Sequence, residues 1–283
     1  MQNSASLYNS GVILLIAPLG WLVGVLLNLL ADDLPSRTAN AADRLSRPFR
    51  FPTCEYCGTR HSVWLWSGLL AFLVRGGRCE HCSAPQRLRA PLAELGLALG
   101  FAYLWTRDPS PARFFPSILV LFLFLLIAVI DIEHRLILYI VSIPSAALML
   151  LIGALFTDHG LARTLAGGAA GFGLMAGTYL LGIGFAWLVA RLRGQRLDEV
   201  AFGWGDVMLG GVVGLLTGWP GVLLAVLIAV LAGGLIGGVI VLVQLVRRRY
   251  RVFTAMPYGP FLVSGGLVIF LWGKDLADWY LGG

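Results

Sequence analysis

Two aspartates and four cysteines carry most of the chemistry this sequence can offer. Cys54-x-x-Cys57 and Cys79-x-x-Cys82 are two knuckles separated by twenty-one residues. Pairs at this spacing bring four thiolates into a tetrahedron around Zn²⁺, a site that needs no contribution from the nearby His61 or His81. Free thiols or a redox pair are the alternatives. Asp131 closes a run of 17 uncharged residues, 114–130, and Asp206 follows directly on Gly203-Trp204-Gly205. Taken singly, Asp131 suits an i,i+4 pair with Arg135, and Asp206 suits a helix N-terminus favoured by the macrodipole. Taken together, carboxylates at the ends of neighbouring helices in a low-dielectric setting share one proton, so that one serves as base and the other as acid. Such a pair activates water for peptide hydrolysis and protonates the leaving amine. Glycines before Asp206 leave room for backbone or substrate to approach the carboxylate.

These residues need elements to hold them, and the composition says which kind. Of 283 residues, 58% are hydrophobic and only 13% charged, against about 25% charged in soluble chains. Too little polar surface is available for a water-soluble globule, and the expectation is an all-α polytopic membrane protein. Apolar segments fall at 11–31, 91–106, 114–130, 137–156, 161–190, 206–219, 220–246 and 256–272, about eight transmembrane helices. No Lys or Arg precedes the first segment, so it reads as a retained helix rather than a cleaved signal. The stretch 32–90 holds nine Arg and all four Cys. The expected organisation is therefore a first span at 1–31, an extramembrane cysteine insert at 32–90 and a membrane domain at 91–283.

Charge assigns the sides. With the N-terminus outside, 17 of the 21 basic residues fall in 32–90, 131–136, 191–205 and 247–251. The positive-inside rule places those segments in the cytoplasm, with the insert and both aspartates. A pair of disulfides would be reduced there, which favours Zn²⁺ for the four cysteines. Because topology accounts for most of the +6 net charge, no nucleic-acid partner is expected, and the arginines suit anionic membrane lipids. Trp64, Trp66, Trp187, Trp272, Trp279 and Tyr280 suit interfacial anchoring. The glycine-dense stretches 167–184 and 232–238, including Gly173-x-x-x-Gly177 and Gly234-x-x-x-Gly238, suit close helix packing.

The chain resembles the type IV prepilin leader peptidases, membrane aspartic proteases of the GxGD class. Gly20, Gly24, Asn28 and Leu34-Pro35 resemble that family's N-terminal signature. The cysteine pairs, Gly77-Arg78-Cys79 and Arg89-x-Pro91-x-x-Glu94 resemble its cytoplasmic cysteine domain and the helix that follows. Asp131 stands at the first catalytic Asp, Gly203-x-Gly205-Asp206 at the second, and Pro257-Tyr258-Gly259-Pro260-Phe261-Leu262 resembles its C-terminal segment. Leu138-Tyr139 departs from the family's Pro followed by Asp or Asn, and Met208 stands where Lys is usual. The resemblance implies Asp131 and Asp206 as catalytic residues, with Gly203, Gly205, Pro257, Gly259 and Pro260 supporting the site or the substrate. It implies cleavage of the basic leader from prepilins or pseudopilins, N-methylation from S-adenosylmethionine, and residence in the bacterial cytoplasmic (inner) membrane. A proton-coupled transporter or a zinc-stabilised membrane scaffold is the alternative.

Overall fold

A computed structural model describes residues 2–39, 52–54, 56–193, 203–247 and 257–281. Among these residues the chain forms nine α-helices and a 3₁₀ turn, without a named strand. Two compact units divide it, Met1–Leu126 and Ile127–Gly283.

The first unit contains α1 (Gln2–Ala39), the 3₁₀ turn (Val63–Trp66), α2 (Gly68–Arg75), α3 (Arg89–Arg107) and the first part of α4 (Pro111–His134). The first apolar run ends at 31, yet α1 continues to Ala39, its polar extension carrying an Asp33–Arg37 ion pair one turn apart and an Asp32–Arg89 pair to α3 at 2.7 Å. Two glycines one turn apart let α3 lie directly on α1: a Cβ on Gly20 would stand 2.7 Å from the Leu97 carbonyl oxygen, and one on Gly24 2.6 Å from Glu94 Cα. Glu94 is fully buried at this contact. Its carboxylate accepts from Trp21 Nε1 (3.0 Å), Asn28 Nδ2 (3.1 Å), Ser67 Oγ (2.5 Å) and the Gly68 and Leu69 amides (2.7 and 3.1 Å). The last two are N-terminal amides of α2, which have no partner within their own helix. One carboxylate therefore ties the insert to α1 and α3.

The second unit holds the end of α4 with α5 (Tyr139–Leu155), α6 (Gly160–Arg193), α7 (Trp204–Thr217), α8 (Gly221–Val246) and α9 (Gly259–Leu281). Short, Gly-rich α7 is the central element, burying Val207, Leu209, Val213 and Leu216. It packs backbone to backbone on α6: a Cβ on Gly167 would overlap the Gly214 carbonyl, and one on Gly171 the Gly210 carbonyl. Gly265 of α9 meets the Ala225 carbonyl of α8 in the same way. Within the glycine-dense 167–184 the close packing falls on Gly167, Gly168 and Gly171, while an added Cβ on Gly173, Gly177, Gly234 or Gly238 would meet nothing within 4 Å among the described residues. Spacing alone marks small residues in a helix, and which face a neighbour takes depends on the tertiary contacts.

Each of the eight apolar segments coincides with one helix, α1 or α3 to α9. Four stretches are long and apolar enough to cross a bilayer: Gly11–Arg37, Pro111–His134, Gly160–Leu192 and Gly221–Val246. Tyr139–Leu155 and Trp204–Thr217 are shorter apolar helices. Among the described residues the chain is all-helical, with four helices long and apolar enough to cross a bilayer where about eight crossings were expected.

Candidate active site

Helix ends build the site. α4 stops at His134, where Arg135 takes φ 53° and donates its amide to the Asp131 carbonyl at 2.8 Å. This is a backbone bond; no side-chain ion pair between Asp131 and Arg135 is seen among the described residues. Asp131 itself is 5% exposed, and its Oδ2 accepts from the Gly259 amide at 3.0 Å. Gly259 opens α9, so this N–H is one that the helix cannot satisfy internally, and the helix dipole favours the carboxylate there. Pro260 follows in the first turn, where its missing N–H is no loss. A Cβ on Gly259 would lie 2.5 Å from Asp131 Oδ2, so only glycine permits the contact.

Asp206 is the third residue of α7 and half-buried. Its Oδ2 accepts from the Gly203 amide at 3.0 Å while its own amide donates to the Gly203 carbonyl at 3.1 Å, a reciprocal cap. Each aspartate therefore sits at a helix N-terminus, and the Asp206 charge acts on both Asp131 and the Tyr258 phenol. Gly205 serves closeness of another kind, since a Cβ there would come 2.7 Å from Ile137 Cβ in the linker between α4 and α5. Gly203, with φ −90° and ψ 159°, would place a Cβ no closer than 3.8 Å to Asp206 Oδ2 among the described residues. Pro257 and Pro260 are partly buried on either side of Tyr258-Gly259.

The structure thus gathers Asp131, Asp206, Gly203, Gly205, Gly259 and both prolines into the second unit. Sequence reasoning missed Ile137, which carries no signal, and the amide of Gly259 as the Asp131 partner. A helix-start pattern of Pro-x-Gly-Pro before an apolar run was the available clue. The two departures from the family pattern are accommodated: Leu138, buried at φ −79° and ψ 124°, precedes α5 as its N-cap without proline, and Met208 lies partly buried in α7.

In the first unit the four cysteines converge, with all Sγ atoms within 4.8 Å of one another. The two knuckles repeat one design. Cys54 N donates to Thr59 O (2.9 Å) and Gly58 N to Cys54 O (2.8 Å); Cys79 N donates to Ala84 O (2.9 Å) and Ser83 N to Cys79 O (3.2 Å). The residue after each second cysteine, Gly58 or Ser83, has positive φ, 70° and 56°. Sulfur separations are 3.7 Å for Cys54–Cys82 and 3.8 Å for Cys57–Cys79, with all four thiols free. A tetrahedron with Zn–S bonds of about 2.3 Å has edges of about 3.8 Å, so the donor set fits this metal. The Cys82 and His81 amides pull the Cys79 thiol down to about 6, and Thr59 lowers Cys57. Cys82 is pushed up to about 12; the Ala84 amide opposes this, but burial and the other three sulfurs outweigh it. Mutual repulsion of unneutralised thiolates is what a divalent cation relieves.

Comparison with known proteins agrees with this division. The model of the type IV leader peptidase family matches residues 118–238, and that of the bacterial peptidase A24 N-terminal domain matches 19–107. A prepilin leader peptidase/N-methyltransferase of Burkholderia pseudomallei (strain K96243) is 32% identical over 86% of this chain and 71% of its own length. Its namesake in Aeromonas hydrophila is 30% identical over 81% of this chain and 73% of its own, and the one in Stutzerimonas stutzeri 26% identical over 88% and 80%. No solved structure matches the chain. With relatives so named aligned along most of both chains, and with the aspartates and cysteines each lying inside a matched region, the chain belongs to the type IV leader peptidase family.

Proposed function

We propose that this protein is a membrane-embedded aspartic endopeptidase that removes the basic leader from prepilins or pseudopilins and methylates the new N-terminus. The carrying observation is that two helix N-termini of one unit each hold a carboxylate: Asp131, from the end of α4, accepts the first amide of α9, and Asp206 caps the first turn of α7. One ionised carboxylate takes a proton from water as the water oxygen attacks the scissile carbonyl. The protonated partner donates to the carbonyl oxygen, and collapse of the tetrahedral intermediate breaks the C–N bond as the amine takes a proton from the pair. The Gly259 amide holds Asp131 in place through this cycle.

Zn²⁺ on Cys54, Cys57, Cys79 and Cys82 would supply folding free energy to the insert, and no catalytic step passes through it. S-adenosylmethionine finds no comparable fit at the deepest carboxylate, since Glu94 is already taken by five donors and has nothing left for ribose hydroxyls. Methylation rests on the name its relatives carry. In this reading 32–90 is a cytoplasmic module between a first span and the peptidase region 91–283, and both aspartates face the cytoplasm of a bacterial inner membrane, as the basic-residue distribution supports.

The test is to incubate purified protein with a prepilin and S-adenosylmethionine and weigh the product, which should have lost its leader and gained a methyl group. Asp131→Asn and Asp206→Asn should each lower cleavage by at least the ~10²–10⁴ that general acid–base catalysis supplies. The double variant should be barely worse, because residues acting as one unit are strongly non-additive. Near-normal cleavage by either folded single variant would refute the pair.

A further inference from the structure

The cysteine insert exposes apolar side chains that its own fold does not use. Val63 and Trp64 of the 3₁₀ turn are 69% and 79% exposed, and Leu73 and Val74 of α2 are 71% and 75% exposed. α2 buries only Gly68 and Ala71. Four large apolar groups within a stretch of twelve residues are unusual on water-facing surface of an Arg-rich module.

The position of this turn and helix in the first unit indicates what they meet. The polar rim of the α1–α3 pair is marked by Asp32 and Arg89, joined at 2.7 Å. The N-terminus of α2 lies beyond that rim, toward the apolar run of α1. A Cβ on Gly68 would stand 2.5 Å from Ala90 Cβ, the Gly68 amide binds Glu94, and Ser67 accepts from Trp21, eleven residues before Asp32. Ala90 and Glu94 are one and five residues along α3 from Arg89, a descent of about 2 to 8 Å at 1.5 Å per residue. α1 here belongs to a candidate membrane span, Gly11–Arg37. The start of α2 is thus held at or just below the level where α1 turns from charged to apolar. Basic residues flank its other end: Arg75, paired with Glu80 at 3.3 Å, ends the helix with 48% of its side chain exposed, and exposed Arg78 follows. Aromatic and aliphatic groups beside arginines at this depth match a bilayer interface with anionic headgroups.

We propose that the turn–helix 63–75 is an interfacial anchor, its Trp64, Leu73 and Val74 seated in the lipid headgroup–acyl boundary and the following Arg78 on anionic headgroups. The cysteine centre is thereby fixed against the membrane at two points, Glu94 inside the protein and this helix in the lipid. This does not depend on the peptidase reading.

The test uses full-length protein in nanodiscs containing anionic lipid, with a spin label attached through a ketone amino acid so that the four cysteines stay intact. Labels at 64, 73 and 74 should be several-fold more accessible to oxygen than to a water-soluble nickel chelate, and a label at 81, beside the cysteine centre, should show the reverse. A second arm replaces both Leu73 and Val74 by Ser; metal content should be kept while oxygen accessibility at 64 falls. Chelate accessibility at 64, 73 and 74 equal to that at 81 would overturn the proposal. Exclusion of both reagents would also overturn it, and would point to a protein partner on this face.

Discussion

Five uncharged donors surround the buried carboxylate of Glu94, and that composition makes the residue sensitive to the smallest change. Glu94→Gln replaces one oxygen with an NH₂ that must confront either Asn28 Nδ2 and the Gly68 amide, or Trp21, Ser67 and the Leu69 amide. At least two buried donors are stranded, at about 1–3 kcal/mol each. The expected outcome is a clear drop in the thermal midpoint in detergent and earlier proteolysis within the insert, with the second unit intact; an unchanged midpoint would contradict the network. The family resemblance made Glu94 visible in the sequence, but its partners Trp21, Asn28 and Ser67 lie 73, 66 and 27 residues away, so its role as a junction was not legible. The aspartates were legible because a lone charge closing an apolar run is conspicuous in one dimension. Gly259 as an amide donor to Asp131, 128 residues off, was not.

Element ends carry a second set of expectations. Gly205→Ala drives a methyl group into Ile137 and should shift the linker over α7, lowering cleavage strongly. Gly203→Ala meets only ordinary contact distances among the described residues, so helix content and thermal stability should be unchanged. Far-UV circular dichroism and cleavage assays on the two variants separate these cases. The repeated knuckles give a further one. Cys79, held down to about 6, is a thiolate at neutral pH, and Cys82, pushed up to about 12, is a thiol. Zinc uptake should therefore release protons, and affinity should weaken as pH falls, most steeply once Cys79 also protonates near 6. Calorimetry in buffers of different ionisation enthalpy measures the release, and removal of the metal by a chelator should loosen the insert alone. Helix order was readable from apolar runs and the packing stretch 167–184 from its glycine density, whereas which glycines take the contact was not: equal spacings at Gly167-x-x-x-Gly171 and Gly173-x-x-x-Gly177 end in opposite environments.

Across the whole molecule, 17 of 21 basic residues belong to the segments read as cytoplasmic. Asn40→Cys, Gln195→Cys and Arg249→Cys should be shielded from a membrane-impermeant thiol reagent in intact cells, while Ser110→Cys and Asp278→Cys should react. Labelling of Gln195→Cys from outside would invert the topology. The orientation rests on charge asymmetry, a property of sequence alone, and the labelling decides it. The number of crossings depends on helix lengths, which tertiary packing sets. Those lengths have a mechanical consequence. Apolar α5, with Ile140, Ile143 and Leu151 exposed, has 17 residues, about 26 Å, while α6 beside it has 34, about 51 Å. α6 can meet a bilayer by tilting or by standing clear of it, but a crossing α5 falls short of the usual core, so lipid beside it must thin and store elastic strain. Reconstituted into membranes of graded acyl-chain length, the protein should cleave fastest in those thinner than the usual ~30 Å core, tuned by a medium it never chemically alters.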